Sequence, residues 1–207
     1  MSRAGRPRMF DRDEAIFNAM LLFWDEGFEA TSLSQLRKVM GNISASSFYT
    51  TFQSKEDLFC EVVNMYMNTF GQVSLCLKDI SLEPREAVEQ ALRQTAKMQT
   101  DSSHPHGCLV VLSATNCSPK NAHIQDMLKK QRAQIRDWLT ACIKTAVKKG
   151  ELPKTLDVDI LTTVIYSFMN GISIQARDGI SFDTIDAAIT QIMSIWDMLA
   201  QSVHTDK

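Results

Sequence analysis

The sequence predicts an all-α fold, on three observations. Apolar residues recur three and four positions apart through every long segment, as a one-sided helix requires. Helix-start chemistry, a Ser or Asp three residues ahead of Gln, Glu or Asp, stands at the head of several of those segments. No alternating apolar–polar run of useful length interrupts them, and the 207 residues include only 8 Gly and 5 Pro. The spacing resolves into about nine helices. They divide into an N-terminal three-helix domain within residues 1–60 and a helical domain over residues 61–207.

Residues 1–9, MSRAGRPRM, hold Arg3, Arg6 and Arg8, no acid, and too little apolar surface to fold alone. The first helix starts at Asp11, with Glu14 three residues on. Ile16, Ala19, Met20 and Phe23 form its inner face, and Gly27 ends it. The second starts in a capping box, Ser32 with Gln35, and stops at Gly41-Asn42, residues that tolerate left-handed backbone angles. Ser44 caps a third, very short helix with Phe48 and Phe52 inward and Ser, Thr and Tyr outward. Two short helices around a tight Gly-containing turn form the helix-turn-helix pattern, which points to DNA. Ser54 caps a fourth helix, expected to run unbroken to about Lys78 because apolar spacing persists that far.

Pro84 fits the first position of a fifth helix, whose stripe is Ala87, Val88, Ala91, Leu92 and Thr95. After the break at His104-Pro105-His106-Gly107, a short buried helix is expected over 108–115. A seventh runs from Pro119 to Lys149, an eighth is capped by Asp157, and a ninth spans Phe182 to Val203. The last two are apolar on more than one face. Surplus apolar surface of that kind predicts a two-fold contact with a second copy through residues 157–200, with Ile192 and Trp196 inside it.

Charge and composition narrow the partner. With 22 basic and 24 acidic residues the net charge is −2, so the chain as a whole does not announce a polyanion. Locally, residues 30–55 hold Arg37, Lys38 and Lys55 and no acid, and a few placed cations suffice for phosphate. No apolar run approaches the roughly 20 residues that span a bilayer. The basic N-terminus leads into an acidic amphipathic helix rather than an apolar signal core. Five cysteines, odd in number and without framework spacing, fit a reducing cytoplasm. Catalysis finds no support, since there is no Gly-rich phosphate loop, HExxH or CxxC, and no cofactor is expected.

Gly5-Arg6-Pro7-Arg8, Phe23, Gly27-Phe28, Thr31-Ser32-Leu33, Gly41, Phe48-Tyr49, Phe52 and Ser54-Lys55-Glu56-Asp57-Leu58-Phe59 together resemble the TetR family of bacterial transcriptional regulators. The remainder matches in architecture alone, and the turn from Gly41 to Ser46 looks one residue longer than the family's commonest form, which fixes the reading helix to within one residue. The resemblance implies a homodimeric repressor that binds a roughly palindromic double-stranded operator and leaves it when a small inducer enters the helical domain. By position it implies phosphate contacts from Thr31, Tyr49 and Lys55, and base-edge contacts from Ser44, Ala45, Ser46, Ser47 and Thr50. Ser32 and the arm residues Arg6 and Arg8 complete that surface. A face of Ser, Ala and Thr makes few bidentate contacts, which leaves methyl groups, water and DNA shape to discriminate.

A ligand cavity is expected among helices four to eight, where Met65, Tyr66, Met98, Met127, Trp138, Phe168 and Met169 offer adaptable apolar packing. Cys108 joins them. Gly107 lets a helix begin beside it, and a helix N-terminus lowers a thiol's pKa, an effect His104 and His106 would deepen when protonated. Ligand binding near Cys108, or its modification, would then reshape the fourth helix and part the reading heads. Two rival readings are a metal or thiol sensor built on His104, His106 and Cys108, and a helical adaptor that does not bind DNA.

Overall fold

Side-chain caps open five helices where the sequence places them. The computed structural model describes residues 11–113, 115 and 117–205, and among these it is all-helical, without strands. α1 (Arg12–Glu26) starts on Asp11, whose carboxylate accepts from the amides of Asp13 and Glu14 at 3.0 and 3.1 Å. α2 (Leu33–Val39) starts in the full capping box, Gln35 N–H on Ser32 Oγ and Ser32 N–H on Gln35 Oε1. α3 (Ala45–Phe52) and α4 (Lys55–Asn68) start on Ser44 and Ser54. Asp157 accepts from the Ile160 amide at the head of α8 (Val158–Arg177). Each cap satisfies a donor the helix leaves orphaned, worth about 1 kcal/mol. Gly41 and Asn42, both at positive φ, make the turn from α2 to α3 and fix the register: Ser44 caps and Ala45 is the first helical residue.

The fourth helix stops short of expectation. Regular α-helix ends at Asn68, and Phe70–Lys78 continues as a 3-10 segment. Thr69 makes the break, at φ −123 and ψ −89, and its hydroxyl donates to the Met65 carbonyl at 2.8 Å. A hydroxyl bonded to its own helix competes with the ladder in this way. Pro119–Asn121 is likewise a 3-10 turn ahead of α7 (Ala122–Lys149). α5 (Pro84–Gln99) and α9 (Phe182–Thr205) stand where expected, and α6 is a single turn, Leu109–Leu112.

Packing divides into two apolar clusters. The first joins α1 to α4 and continues past residue 60 into Leu109 and Val110 of α6 and Ile124 and Leu128 of α7. At its centre Phe59 lies 4.9 Å from both Phe23 and Phe28, and Trp24, absent from the expected inner face, is buried beside them. The second cluster joins α5, α7, α8 and α9. Arg85 bridges Glu89 and Asp197, and Arg93 bridges Glu89 and Asp186, so two guanidinium groups pin α9 to α5.

That docking corrects one expectation. Trp196 is 2% exposed and belongs to the second cluster of its own chain, with Ile192 half-buried against it. α9 packs on α5, and the stripe that carries Trp196 is buried in the second cluster. The large apolar residues of this region left outward are Ile160, Val164 and Ile174 on α8, Ile180 in the turn after it, and Met198 on α9.

Two glycines test the fold. Gly107 sits at φ +82, and a Cβ there would stand 2.8 Å from the Ser173 carbonyl oxygen; Gly150 sits at φ +80 with nothing within 4 Å. Gly150→Ala should therefore cost about 1 kcal/mol, the left-handed strain alone. Gly107→Ala should cost at least about 3 kcal/mol, because overpacking adds to the strain. Urea titration of both variants measures the difference, and equal losses would refute this account of Gly107.

Candidate functional site

α3 buries Phe48 and Phe52 and turns Ser44, Ala45, Ser46, Ser47, Tyr49 and Thr50 outward. The outward hydroxyls are already engaged. Ser44 Oγ lies 2.9 Å from both Ser46 Oγ and Ser47 Oγ, and Thr50 Oγ1 donates to the Ser46 carbonyl at 2.8 Å. Tyr49 is 52% exposed, with only its ring set against Phe48. Ser32 is exposed at the head of α2, and Arg37 Nε donates to the Ile43 carbonyl, bracing the turn. Two candidates sit apart from this surface. Thr31 is buried, and its hydroxyl donates to the Gly27 carbonyl at 2.7 Å, tying down the loop between α1 and α2. Lys55 holds its ammonium 4.4 Å from the centre of the Phe28 ring, where burial lowers its pKa. Arg6 and Arg8 lie outside the described residues.

A cavity of about 40 Å³, enough for one or two waters, lies behind this head. The end of α4, the 3-10 segment, α5, α6, α7 and α8 wall it. Of the expected residues it brings together Tyr66, Met98, Cys108 and Met169. Met65 and Met127 pack instead in the first cluster, where Met127 takes the Cys60 thiol; Trp138 lies under the Lys78 ammonium, and Phe168 packs on the second cluster. Both clusters contribute to the cavity, so helical spacing identifies a buried face but not which of its residues reach the cavity wall, and these four do not line it. Thr95, Gln99, Arg132, Tyr166 and Asn170 line the cavity and were missed. A signal existed for Gln99: it stands one turn beyond Thr95 on the α5 stripe, a polar residue at an apolar position.

The polar lining has unspent capacity. Thr95 Oγ1 and Gln99 Oε1 are buried without a hydrogen-bond partner among the described residues, a cost of about 1–3 kcal/mol each. Arg132 donates to the Val110 carbonyl at 2.7 Å, and Tyr166 donates to the Arg132 carbonyl at 2.8 Å.

α6 joins this cavity to the head. Before it, the Gly107 carbonyl accepts from Trp24 Nε1 at 3.0 Å; after it, the Ser113 carbonyl accepts from the Phe28 amide at 3.1 Å. Further on, the Asn121 amide donates to Glu29 at 2.7 Å and is the main cause holding that carboxyl below its usual range. From α8, Arg177 donates to the Trp24 carbonyl at 2.8 Å.

Cys108 differs from expectation in its chemistry. It caps α6, but that helix has one turn, the Tyr66 hydroxyl donates to its sulfur at 3.3 Å, and burial pushes the thiol pKa up rather than down. His104 does not approach it as a ligand would, being stacked flat on Trp24 at 4.5 Å. Among the described residues no group of three His, Cys, Asp or Glu is arranged to hold a metal. In the native chain at pH 7.5, iodoacetamide should modify Cys108 at least about tenfold more slowly than in urea, with the gap narrowing as pH rises toward the elevated pKa. Peptide mass spectrometry reads this directly, and faster modification in the folded chain would restore the activated thiolate.

Comparison with known proteins agrees with this layout. The profile described as bacterial regulatory proteins, tetR family, matches residues 17–62, and that described as tetracyclin repressor-like, C-terminal domain, matches residues 84–193. The HTH-type transcriptional repressor ComR of Escherichia coli is 32% identical over 200 residues, 95% of this chain and 94% of that protein. BdcR, another HTH-type transcriptional repressor of Escherichia coli, is 28% identical over 187 residues, 88% and 87% of the two chains. Among solved structures, a cysteine mutant of the TetR family regulator CifR, complexed with a 26-bp double-strand operator, superposes with a TM-score of 0.85 at 32% identity, covering 92% of this chain and 100% of that one. Tandem profiles and relatives of nearly full length leave one conclusion: the chain belongs to the TetR family of bacterial transcriptional regulators.

Proposed function

We propose that this regulator is a homodimeric repressor that reads a roughly palindromic operator with α3 and releases it when a small inducer occupies the cavity. The outward face of α3 carries the reading: small hydroxyl and methyl side chains, no acid anywhere in residues 30–55, and a firm base of Phe48 and Phe52 beneath. The operator-bound CifR structure and the repressors ComR and BdcR support it. Tyr49 contacts phosphate, while Ser44, Ala45, Ser46, Ser47 and Thr50 face base edges, with Ser32 and the Arg6 and Arg8 arm alongside. Thr31 serves by holding its loop, and Lys55 reaches phosphate only by leaving the Phe28 ring. Residues 1–60 are the DNA-binding domain, and 61–207 bind the inducer and the second copy. No helix of the described residues is long and apolar enough to cross a membrane, and the protein acts where the DNA is, in the cytoplasm.

Two observations support the rest. On α8, Ile160 at 63% and Ile174 at 52% exposure flank Val164 and Gly171, and Gly171 has open space around it, so a second α8 could approach closely. The inducer needs both an apolar body for Met98 and Met169 and polar groups for Gln99 and Thr95. Because the cavity as it stands is small, filling it displaces α6, whose flanking hydrogen bonds move the end of α1 and with it the head. Cys108 enters as a wall of the cavity rather than as a nucleophile.

A duplex selected from a random-sequence pool by the full-length protein tests the DNA reading. Tyr49→Phe should weaken its binding by about 1 kcal/mol, roughly fivefold, equally for all selected sequences and without a change in melting temperature. An unchanged affinity would remove Tyr49 from the interface. For the second copy, Ile160→Asp or Ile174→Asp should halve the mass seen by light scattering at unchanged helicity and weaken operator binding at least about a hundredfold, since one head loses its tether. An unaltered mass in both variants would end the α8 assignment.

A further inference from the structure

Ile43, Ser46, Ser47, Thr50 and Thr51 line a shallow recess in the outward face of α3 and the turn before it. Bonds already made set its chemistry. Thr50 and Thr51 donate their hydroxyls to the Ser46 and Ser47 carbonyls, one turn back, at 2.8 and 2.9 Å. Ser46 and Ser47 share their hydroxyls with Ser44 Oγ, each at 2.9 Å. A threonine whose oxygen folds back onto its own helix presents its methyl group to a visitor, and half-buried Ile43 adds an aliphatic wall. The recess is therefore apolar at its lining and poor in free donors. Its surroundings are the opposite: Arg37 and Lys38 lie on the adjoining helix, and residues 30–55 contain no acid.

An apolar recess beside a helix that carries Arg37 and Lys38, with no acid in residues 30–55, on a helix of a size the major groove admits, narrows the occupant. Base edges in that groove offer donors and acceptors, with one apolar exception, the 5-methyl group of thymine. A guanine edge needs donors that this face has spent, whereas a methyl group needs only contact area and exclusion of water. We propose that the recess is a specificity site for the thymine 5-methyl group, with the Thr50 methyl as its central wall, so that each operator half-site presents a thymine there. The proposal rests on α3 being the reading helix.

The test uses the full-length protein and a duplex that it has selected from a random-sequence pool. Each symmetric pair of thymines is replaced in turn by uracil, which keeps every hydrogen bond and lacks only the methyl. At one pair the substitution should weaken wild-type binding roughly fourfold per thymine, the value of one buried methyl. Thr50→Ser, which keeps the hydroxyl and loses the methyl, should lose that sensitivity; Thr50→Val, which keeps a methyl and loses the hydroxyl, should retain it. Thermal melts establish that both variants are folded, and should one fail, the wild-type uracil scan and the other variant still decide. Wild-type binding indifferent to every uracil, or full sensitivity in a folded Thr50→Ser, overturns the methyl site while leaving the DNA reading intact. A pool that yields no retained duplex overturns the DNA reading, and the methyl site with it.

Discussion

The last turn of α1 is held from outside its own domain, and the position of the DNA-reading head depends on that grip. The indole of Trp24, the amide of Phe28 and the carbonyl of Trp24 all find their partners in the second domain, at Gly107, Ser113 and Arg177. Leaving a buried polar group of this kind unpaired costs about 1–3 kcal/mol. Around those bonds Phe23, Phe28 and Phe59 pack ring against ring. A close-packed core transmits a displacement rather than absorbing it. The head is thus a cap seated by the two ends of α6 and by Arg177 of α8, not a module on a free hinge.

The grip and the cavity share atoms of one short path. Gln99, which brings an unpaired oxygen to the cavity, also accepts through its carbonyl from the Gly107 amide at 2.9 Å, and the Gly107 carbonyl in turn accepts from Trp24. The glycine's positive φ is what lets one residue face both ways. On the other wall, a 3-10 run of nine residues is unusually long for that geometry, whose hydrogen bonds are poorer than those of an α-helix. A long 3-10 backbone and two unsatisfied buried side chains meet at the same place.

Much of this was legible in the sequence, for local reasons. Caps such as Ser32 with Gln35 and turns such as Gly41-Asn42 depend on a few neighbouring residues, so spacing alone locates them. What the sequence hid was the distribution of buried faces between partners. Trp196 and Ile192 carry the surplus apolar character that suggests a second copy, yet Trp196 is buried in the second cluster of its own chain and Ile192 packs half-buried against it. Arg85 and Arg93, which no periodicity connects to α9, pin that helix to α5. Met65 and Met127 look like cavity residues and pack in the head cluster, while Arg132 and Asn170 look like surface and reach the cavity. Cys108 shows the limit of a correct local inference. A cysteine does cap a helix there, but one turn supplies little dipole and burial decides its protonation.

Trp24 brings a practical consequence. Its ring meets Tyr66 and Phe70 edge-on and His104 face-on, and its nitrogen bonds the residue just before Cys108. Indole emission shifts with the polarity and rigidity of its surroundings, so this side chain is an optical gauge set in the seam between the domains. The chain's other two indoles, Trp138 and Trp196, lie in the second cluster, away from that seam. With both replaced by Phe, the colour of a single tryptophan would follow the seating of the head in real time, with no label attached and no DNA present.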